Sequence, residues 1–322
     1  MRPRDHSRLM VLNRHDEAIE HRLFLDIPDY LRNGDVLVLN QSRVIPARLW
    51  GRKVGGGARI EILLLNRAGP SFWEALVKPG RRVRTGTVVE IGSEDDDTAM
   101  TARIESKTEK GTVMVRLTNE DLLETMGDVP LPPYIHTPVK DAGEYQTVYA
   151  REKGSVAAPT AGFHFTPELL GRVESMGVEL VYVTLHVGLG SFRPVKTEDP
   201  VKHELHHEYF EVTDDAANRV NAAKRADRRI IAVGTTSVRA LEWLAQPDGL
   251  VKPFAGWNDL YILPGYPFRI VDALITNFHL PRSTLLMLVA AFAGRERILS
   301  AYEEAVRKEY RFFSFGDAML IL

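Results

Sequence analysis

Cysteine is missing from all 322 residues. That removes a disulfide framework and thiolate metal sites, and it fits a reducing compartment such as the cytoplasm. Long apolar runs are missing too. The longest, LLMLVAAFA from Leu285 to Ala293, is about half of the ~20 residues that a bilayer demands, and it is expected as a buried helix. The opening stretch MRPRDHSRLMVLNR breaks every apolar run with charge, so no secretory signal and no membrane attachment are expected. An excess of one charge is also lacking, because the formal net charge is −2. The field of the whole molecule will not draw in a polyanion, and any nucleic-acid contact has to be local. Internal repeats and low-complexity tracts are absent. What remains is an ordinary globular composition, 44% hydrophobic and 26% charged, long enough for two domains of roughly 100–200 residues.

The texture of the chain changes twice. Gly34 to Gly51 reads as a turn, a buried strand over Val36 to Leu39 and a polar loop closed by Pro46. From there to about Gly127, short β-type runs (Ile60 to Leu65, Thr87 to Ile91, Thr112 to Leu117) alternate with glycine-bearing turns, the signature of an all-β barrel or sandwich. The segment LPPYI, Leu131 to Ile135, is a proline-stiffened exit. Beyond it strands alternate with helices: PELLGRVESMG before ELVYVTL, RIIAV before SVRALEWLA, and FRIVDALI before the apolar helix and RILSAYEEAVRKEY. Such alternation predicts an α/β layer with strands buried on both faces. The expected architecture is a mixed α/β main domain built from both chain ends, residues 1–50 and 133–322, with an all-β barrel domain inserted at 51–132.

Three loops at the ends of α/β strands concentrate polar residues and glycine, where such folds bind ligands. In IIAVGTTSVRALE, Gly234 ends a strand and Thr235, Thr236 and Ser237 open a helix. Free N–H groups and hydroxyls there suit a carboxylate or phosphate, whereas the plain alternative is that Thr and Ser only cap the helix. In VTLHVGLGSFRPV, His186 and Arg193 flank Gly188 and Gly190. The third glycine and immediate helix of a dinucleotide fingerprint are missing, which argues against a Rossmann or typical methyltransferase loop. In SVAAPTAGFHFT, small residues surround His164 between Phe163 and Phe165. The aromatic faces suit a purine, and the plain alternative is a core loop with a satisfied histidine.

The run HELHH, His203 to His207, matches the zincin pattern H-E-x-x-H. A zinc site needs both histidines on one face of a helix that continues into the core. Here Pro200 lies upstream and EYFEVTDD downstream reads as a strand into a turn. An extended segment instead points His206 and Glu208 the same way, as a base and its orienter. Local positive charge is densest in KPGRRVR, where Lys78, Arg81, Arg82 and Arg84 lie near Trp73; such a run is more often a solvated face than a binding site.

Placed together, RDHSRLMVL, GDVLVLNQSRVIPARLWG, LPPYI, YQTVYAREKGSVAAPTAGFHFT, TLHVGLGSFRPV, the H-x-L-H-x-E run from His203 to Glu208, IIAVGTTSVRALE, LYILPGYPFRIVDALITNFHLPRSTLLML and YRFFSFGDAML extend from Arg4 to the C-terminus. In these stretches the chain closely resembles the S-adenosylmethionine:tRNA ribosyltransferase-isomerase family of queuosine biosynthesis. It departs from the family pattern in starting almost at the RD-x-SRL stretch, without a lead of about a strand and a helix. It also carries Leu205 where methionine is common, a swap that conserves volume.

The resemblance implies transfer and isomerisation of the ribosyl moiety of S-adenosylmethionine onto 7-aminomethyl-7-deazaguanine (preQ1) at the wobble position of tRNA. Epoxyqueuosine forms, and adenine and methionine leave. S-adenosylmethionine is then a co-substrate, with no tightly bound cofactor and no metal, and the expected protein is a cytoplasmic monomer that binds preQ1-bearing tRNA. The chemistry asks for a base near the 5′ carbon, since protons beside a sulfonium are acidic, and for an acid at the leaving purine. Expected catalytic residues are His186 or His206, oriented by Glu208, as the base, and His279 or His164 at adenine. Thr235, Thr236, Ser237 and Arg239 would hold the methionine carboxylate, and Phe163, Phe165, Tyr266 or Phe278 would stack on adenine. Thr160, Gly162, Gly188, Gly190, Arg193 and Asn277 complete the expected substrate site, and Arg43, Arg48, Lys78, Arg81, Arg82 and Arg84 the RNA contacts. Two rival readings are a non-catalytic RNA-binding module and a zinc hydrolase using HELHH.

Overall fold

The computed structural model describes residues 3–14, 16, 18–92, 100–109, 111–132, 134–135, 142–188, 195, 197, 199–203 and 207–322. In chain order the elements are β1 (Arg8–Leu12), β2 (Ile19–Leu23), β3 (Val36–Asn40), β4 (Ser42–Val44), β5 (Arg48–Lys53), β6 (Arg59–Gly69), β7 (Phe72–Lys78), β8 (Val88–Ile91), β9 (Met100–Lys107) and β10 (Val113–Leu117). There follow α1 (Leu123–Met126), β11 (Glu152–Ser155), α2 (Pro167–Ser175), β12 (Glu179–Leu185), β13 (Glu208–Val212), α3 (Asp214–Arg225), β14 (Ile230–Val233), α4 (Thr235–Leu244) and β15 (Phe254–Asn258). The chain ends with β16 (Ala273–Asn277), α5 (Thr284–Ala293), α6 (Arg295–Arg307) and β17 (Ala318–Ile321). Two compact units result. One comprises 1–42, 146–152 and 159–322, the other 43–145 and 153–158.

The first unit holds a nine-stranded sheet in the order β15-β13-β12-β3-β14-β16-β17-β1-β2. Strands β12, β3, β14 and β16 run parallel. All residues of β3, β14 and β16 are buried, as apolar strands covered on both faces must be. One face meets α2 and the 3₁₀ turns Phe24–Tyr30 and Thr160–His164 through Phe24, Ile27, Leu37, Leu39, Phe165, Leu169, Val173 and Ile231. Each such side chain withdraws about 1.5–3 kcal/mol of apolar surface from water. On the other face α4 lies with Phe210 of β13 edge-on to its Trp243. Capping hydroxyls start three helices: Thr166 accepts from Leu169 N, Thr213 from Ala216 N and Ser283 from Leu286 N. At the outer edge β2 is exposed and carries Glu20, His21 and Arg22, charges that blunt an unpaired edge.

The second unit is a closed antiparallel barrel, β10-β7-β6-β5-β8-β9, with β9 and β10 sealing it. Inward positions alternate along the strands, as in Leu49 and Gly51 of β5 facing Ile62 and Ile60 of β6. Gly51 is a close-approach position, because a Cβ there would sit 2.3 Å from the Glu90 carbonyl oxygen.

Mixed α/β layers with a closed barrel are thus the fold, as the alternation pattern predicts. Three details differ from the sequence reading. The β unit begins at Arg43 and runs to Tyr145, wider than residues 51–132, because β5 joins the barrel directly. FRIVDALI is strand only from Ala273 onward. The helix α5 is apolar all round, yet only Leu288, Val289 and Phe292 are buried; its opposite side lines a groove of about 240 Å³ with Ile298 and Leu299 of α6.

Candidate functional site

The parallel strands β3, β12, β14 and β16 finish at one edge of the sheet, where His186 to Gly188 follow β12 and Gly234 follows β14, while residues 189–194 lie outside the described residues. Three local clusters form.

The first surrounds Gly234. This residue holds φ +89° as the N-cap of α4 and supplies no side-chain cap, a backbone region that favours glycine. Thr235 and Ser237 are buried. Ser237 Oγ donates back to the Val233 carbonyl at 2.9 Å, so it braces the helix and is not available as a ligand. Thr236 is different: its Oγ1 is buried and has no partner among the described residues. The helix start therefore keeps one uncommitted hydroxyl beside N–H groups that carry the positive end of the helix dipole.

The second cluster is a buried ion pair. Glu208, 2% exposed, and Arg239, 6% exposed, meet through Oε2 and Nη1. Glu208 Oε1 accepts from Gly188 N at 3.1 Å, and Arg239 Nε donates to the Leu260 carbonyl at 3.2 Å. Arg239 Nη2 is buried without a partner among the described residues, which leaves one strong donor free. Glu208 was expected to orient an imidazole, and for His186 the structure corrects this. Tyr209 stacks on His186 at 5.7 Å, and successive side chains of a strand point to opposite faces, so Glu208 points away from His186 toward α4. What Glu208 fixes is the backbone two residues beyond His186.

Histidines make up the third group. Burial pushes the His186 imidazole down to about 4, so it is neutral at neutral pH, and its Nδ1 has no partner among the described residues. His164 is also pushed down to about 4, chiefly by burial, but both its nitrogens are taken. Asn277 Nδ2 donates to Nε2 at 3.1 Å and to the Phe313 carbonyl at 3.2 Å. This leaves Nδ1–H to donate to Ser7 Oγ at 2.7 Å. Thr160 Oγ1 donates to Asn277 Oδ1 at 3.2 Å. His164 is the satisfied core histidine, not an acid at a ligand. His279 is neutral by burial as well, down to about 4, with Nε2 2.8 Å from Thr276 Oγ1. The carbonyl of Phe313 is presented from a bulky residue at φ +73°, an arrangement that costs of order 1–3 kcal/mol and recurs at ligand sites.

The aromatic expectations need most correction. Phe165 is fully buried and packs edge-on to Phe24. Phe278 is fully buried among Tyr302, Tyr310 and Phe312. Neither has a face left for a purine. Phe163 is 4% exposed and stacked on Phe315. Tyr266 is half-buried, donates to the Glu242 carbonyl at 3.3 Å and stays beside the region. Gly162 is required by packing, since a Cβ would lie 1.9 Å from Tyr149 Oη. His206, Gly190 and Arg193 lie outside the described residues. Signals missed in the sequence are Tyr209, whose ring backs His186, and Phe315 in the FFSFGD stretch.

Of HELHH, only His203 and His207 fall within the described residues. Pro200–Lys202 is a 3₁₀ turn and β13 begins at Glu208, so the chain after His207 continues as a strand rather than as a helix running into the core. Among the described residues no group of three or more His, Cys, Asp or Glu is placed to hold a metal, and no helix is long and apolar enough to cross a membrane.

In the barrel unit Lys78, Arg81, Arg82, Arg84 and Arg43 are exposed. Lys53 Nζ and Lys107 Nζ donate to the Arg82 and Gly80 carbonyls, which adds two cations to the Gly80–Arg82 turn. Arg48 is half-buried, 3.4 Å from Glu61. Trp73 does not join this patch: it is 2% exposed and its Nε1 donates to Glu120 at 2.9 Å.

Fold and site define a two-unit protein whose α/β unit carries neutral imidazoles, a charge-compensated arginine and an open helix start at one sheet edge. The profile of the family described as "Queuosine biosynthesis protein" matches residues 1–321. The S-adenosylmethionine:tRNA ribosyltransferase-isomerase of Moorella thermoacetica is 54% identical over 99% of this chain and 94% of its own length. The protein of the same name from Symbiobacterium thermophilum is also 54% identical over the same shares. The crystal structure of S-adenosylmethionine tRNA ribosyltransferase from Thermotoga maritima is 41% identical, with a TM-score of 0.56 over 100% of this chain and 94% of that one. The chain belongs to the queuosine biosynthesis protein family.

Proposed function

We propose that the chain transfers and isomerises the ribosyl moiety of S-adenosylmethionine onto preQ1 at the wobble position of tRNA, releasing adenine and methionine and leaving epoxyqueuosine. The observation that carries this reading is the end-to-end similarity to relatives of that name, 54% over 99% of the chain. The α/β unit is the catalytic part and the barrel unit contributes tRNA contacts from Lys78, Arg81, Arg82, Arg84 and Arg43. The protein works as a cytoplasmic monomer, with S-adenosylmethionine as co-substrate.

Residue roles follow from which atoms are open. His186, neutral and with an uncommitted Nδ1, takes the acidic proton from the carbon beside the sulfonium. Thr236 Oγ1, the adjoining helix N–H groups and the spare Nη2 of Arg239 receive the methionine carboxylate. His279 serves the departing adenine. Thr160, Asn277 and the Phe313 carbonyl border the same sheet edge.

The test is mass spectrometry of preQ1-bearing tRNA after incubation with the protein and S-adenosylmethionine, with adenine release followed in parallel. A gain of the rearranged ribosyl group with stoichiometric adenine is expected. Gain of a methyl group, or no change with a folded sample, overturns the proposal.

A further inference from the structure

The barrel carries an aromatic surface that the basic run does not include. On the hairpin β5–β6 the outward positions pair as Trp50 with Glu61 and Arg52 with Arg59, while Leu49, Ile60 and Ile62 fill the interior. Trp50 is 37% exposed, unusual for a side chain with so much apolar area to hide. Its orientation is fixed: Nε1 donates to Asp128 Oδ2 at 3.0 Å, and the Arg59 guanidinium lies over the ring 4.5 Å from its centroid.

The charges on this face are unbalanced. Glu61 is engaged by Arg48 at 3.4 Å. Arg52 and Arg59 face each other directly across the ladder and both are exposed, a like-charge pair that costs stability. On its other side Arg52 neighbours Glu90 of β8, but no ion pair joins them, nor does one reach Arg59, among the described residues. Two unpaired guanidinium groups beside a pinned indole match the two chemistries of a single-stranded nucleic acid, phosphate and base face.

We propose that the outer face of β5–β6 is a stacking site for an unpaired base of the RNA substrate. The base lies on the Trp50–Arg59 pair, and Arg52 and Arg59 meet the adjoining phosphates. This rests on the reading of the substrate as tRNA, and it names where the barrel grips an unpaired stretch of it.

The experiment is direct binding of a synthetic anticodon stem-loop RNA to the whole protein across a salt series. Trp50→Ala is expected to weaken binding about 5- to 150-fold, the range for loss of one base–aromatic stack, whereas Trp50→Phe retains most of the affinity. Arg52→Gln and Arg59→Gln should each reduce the slope of log affinity against log salt by about 0.7. Wild-type affinity and slope in Trp50→Ala and in both arginine variants overturn the proposal, as does capture of an acidic peptide in preference to RNA at this face. Adenine release, measured on the same samples, separates the two readings. Trp50-dependent RNA binding without ribosyl transfer sinks the proposed function and keeps the surface; transfer with an unchanged KM for tRNA in Trp50→Ala does the reverse. Should Trp50→Ala fold poorly, the arginine variants alone decide.

Discussion

Acidification should weaken the α/β unit through His164 in a way that removing this one imidazole abolishes. The ring is 3% exposed and its Nε2 accepts from an Asn277 amide whose orientation the Phe313 carbonyl dictates. A proton added at Nε2 would confront that amide N–H, and flipping the amide would break the bond to Phe313 and set Oδ1 against its carbonyl. Burial, more than any neighbouring charge, holds the folded value down to about 4 from 6.5. Because the folded value lies below the unfolded one, the unfolded chain takes up the proton first. Stability is complete above about pH 6.5 and drains as the pH falls, until the folded form protonates near 4. The gap is worth about 3 kcal/mol, or about 1.4 kcal/mol per pH unit inside that window. Denaturant unfolding of wild type and His164→Gln between pH 7 and 4.5 reads it, because His186 and His279 titrate in both proteins and cancel in the comparison. The wild type should show the steeper loss. Equal slopes would refute the low folded value that burial imposes on His164.

The buried ion pair should behave as a unit: Glu208→Gln strands the Arg239 guanidinium and costs about 3–5 kcal/mol in denaturant unfolding, while Glu208→Leu combined with Arg239→Leu costs less than either single change. Strictly additive losses would mean that the two groups do not couple. Gly162→Ala forces a methyl to within 1.9 Å of Tyr149 Oη and 2.8 Å of Thr147 Cγ2, an overpacking cost of about 1–3 kcal/mol. Tyr149→Phe should relieve part of it in a melting experiment, and no relief would remove the hydroxyl as the cause.

Much of the architecture is legible in the chain because it is local. ELVYVTL becomes β12 over Glu179–Leu185 and PELLGRVESMG becomes α2 from Pro167, with Thr166 as its cap. Apolar runs and capping residues carry that information in a few adjacent positions. Side-chain fate is less legible, since it depends on partners far along the chain. His164, Ser7 and Asn277 are remote in sequence, and only their convergence shows that the histidine is satisfied. Trp73 and Trp50 both lie near basic residues in the sequence, yet strand parity sends the first into the barrel and the second outward. The open side of α5 is illegible for the same reason: a helix apolar on every side does not announce which side its neighbours cover.

The electrostatics of the sheet edge follow one rule that fits a sulfonium ligand. Two unit charges about 4 Å apart cost about 4 kcal/mol at the effective dielectric of a protein surface, so a site for a sulfonium gains by quenching its own cations. Arg239 is quenched by Glu208, and His186 is quenched by burial, which keeps it unprotonated at neutral pH. Each quenched group still offers what the proposed chemistry needs: Arg239 the two unshared N–H groups of Nη2, His186 one nitrogen lone pair. Under the proposed roles, the proton taken up by His186 would arrive only with the chemical step, when the ylide forming at the neighbouring carbon compensates the sulfonium charge. A site that bound the ligand with a free arginine and a protonated histidine would pay the repulsion before any bond had changed.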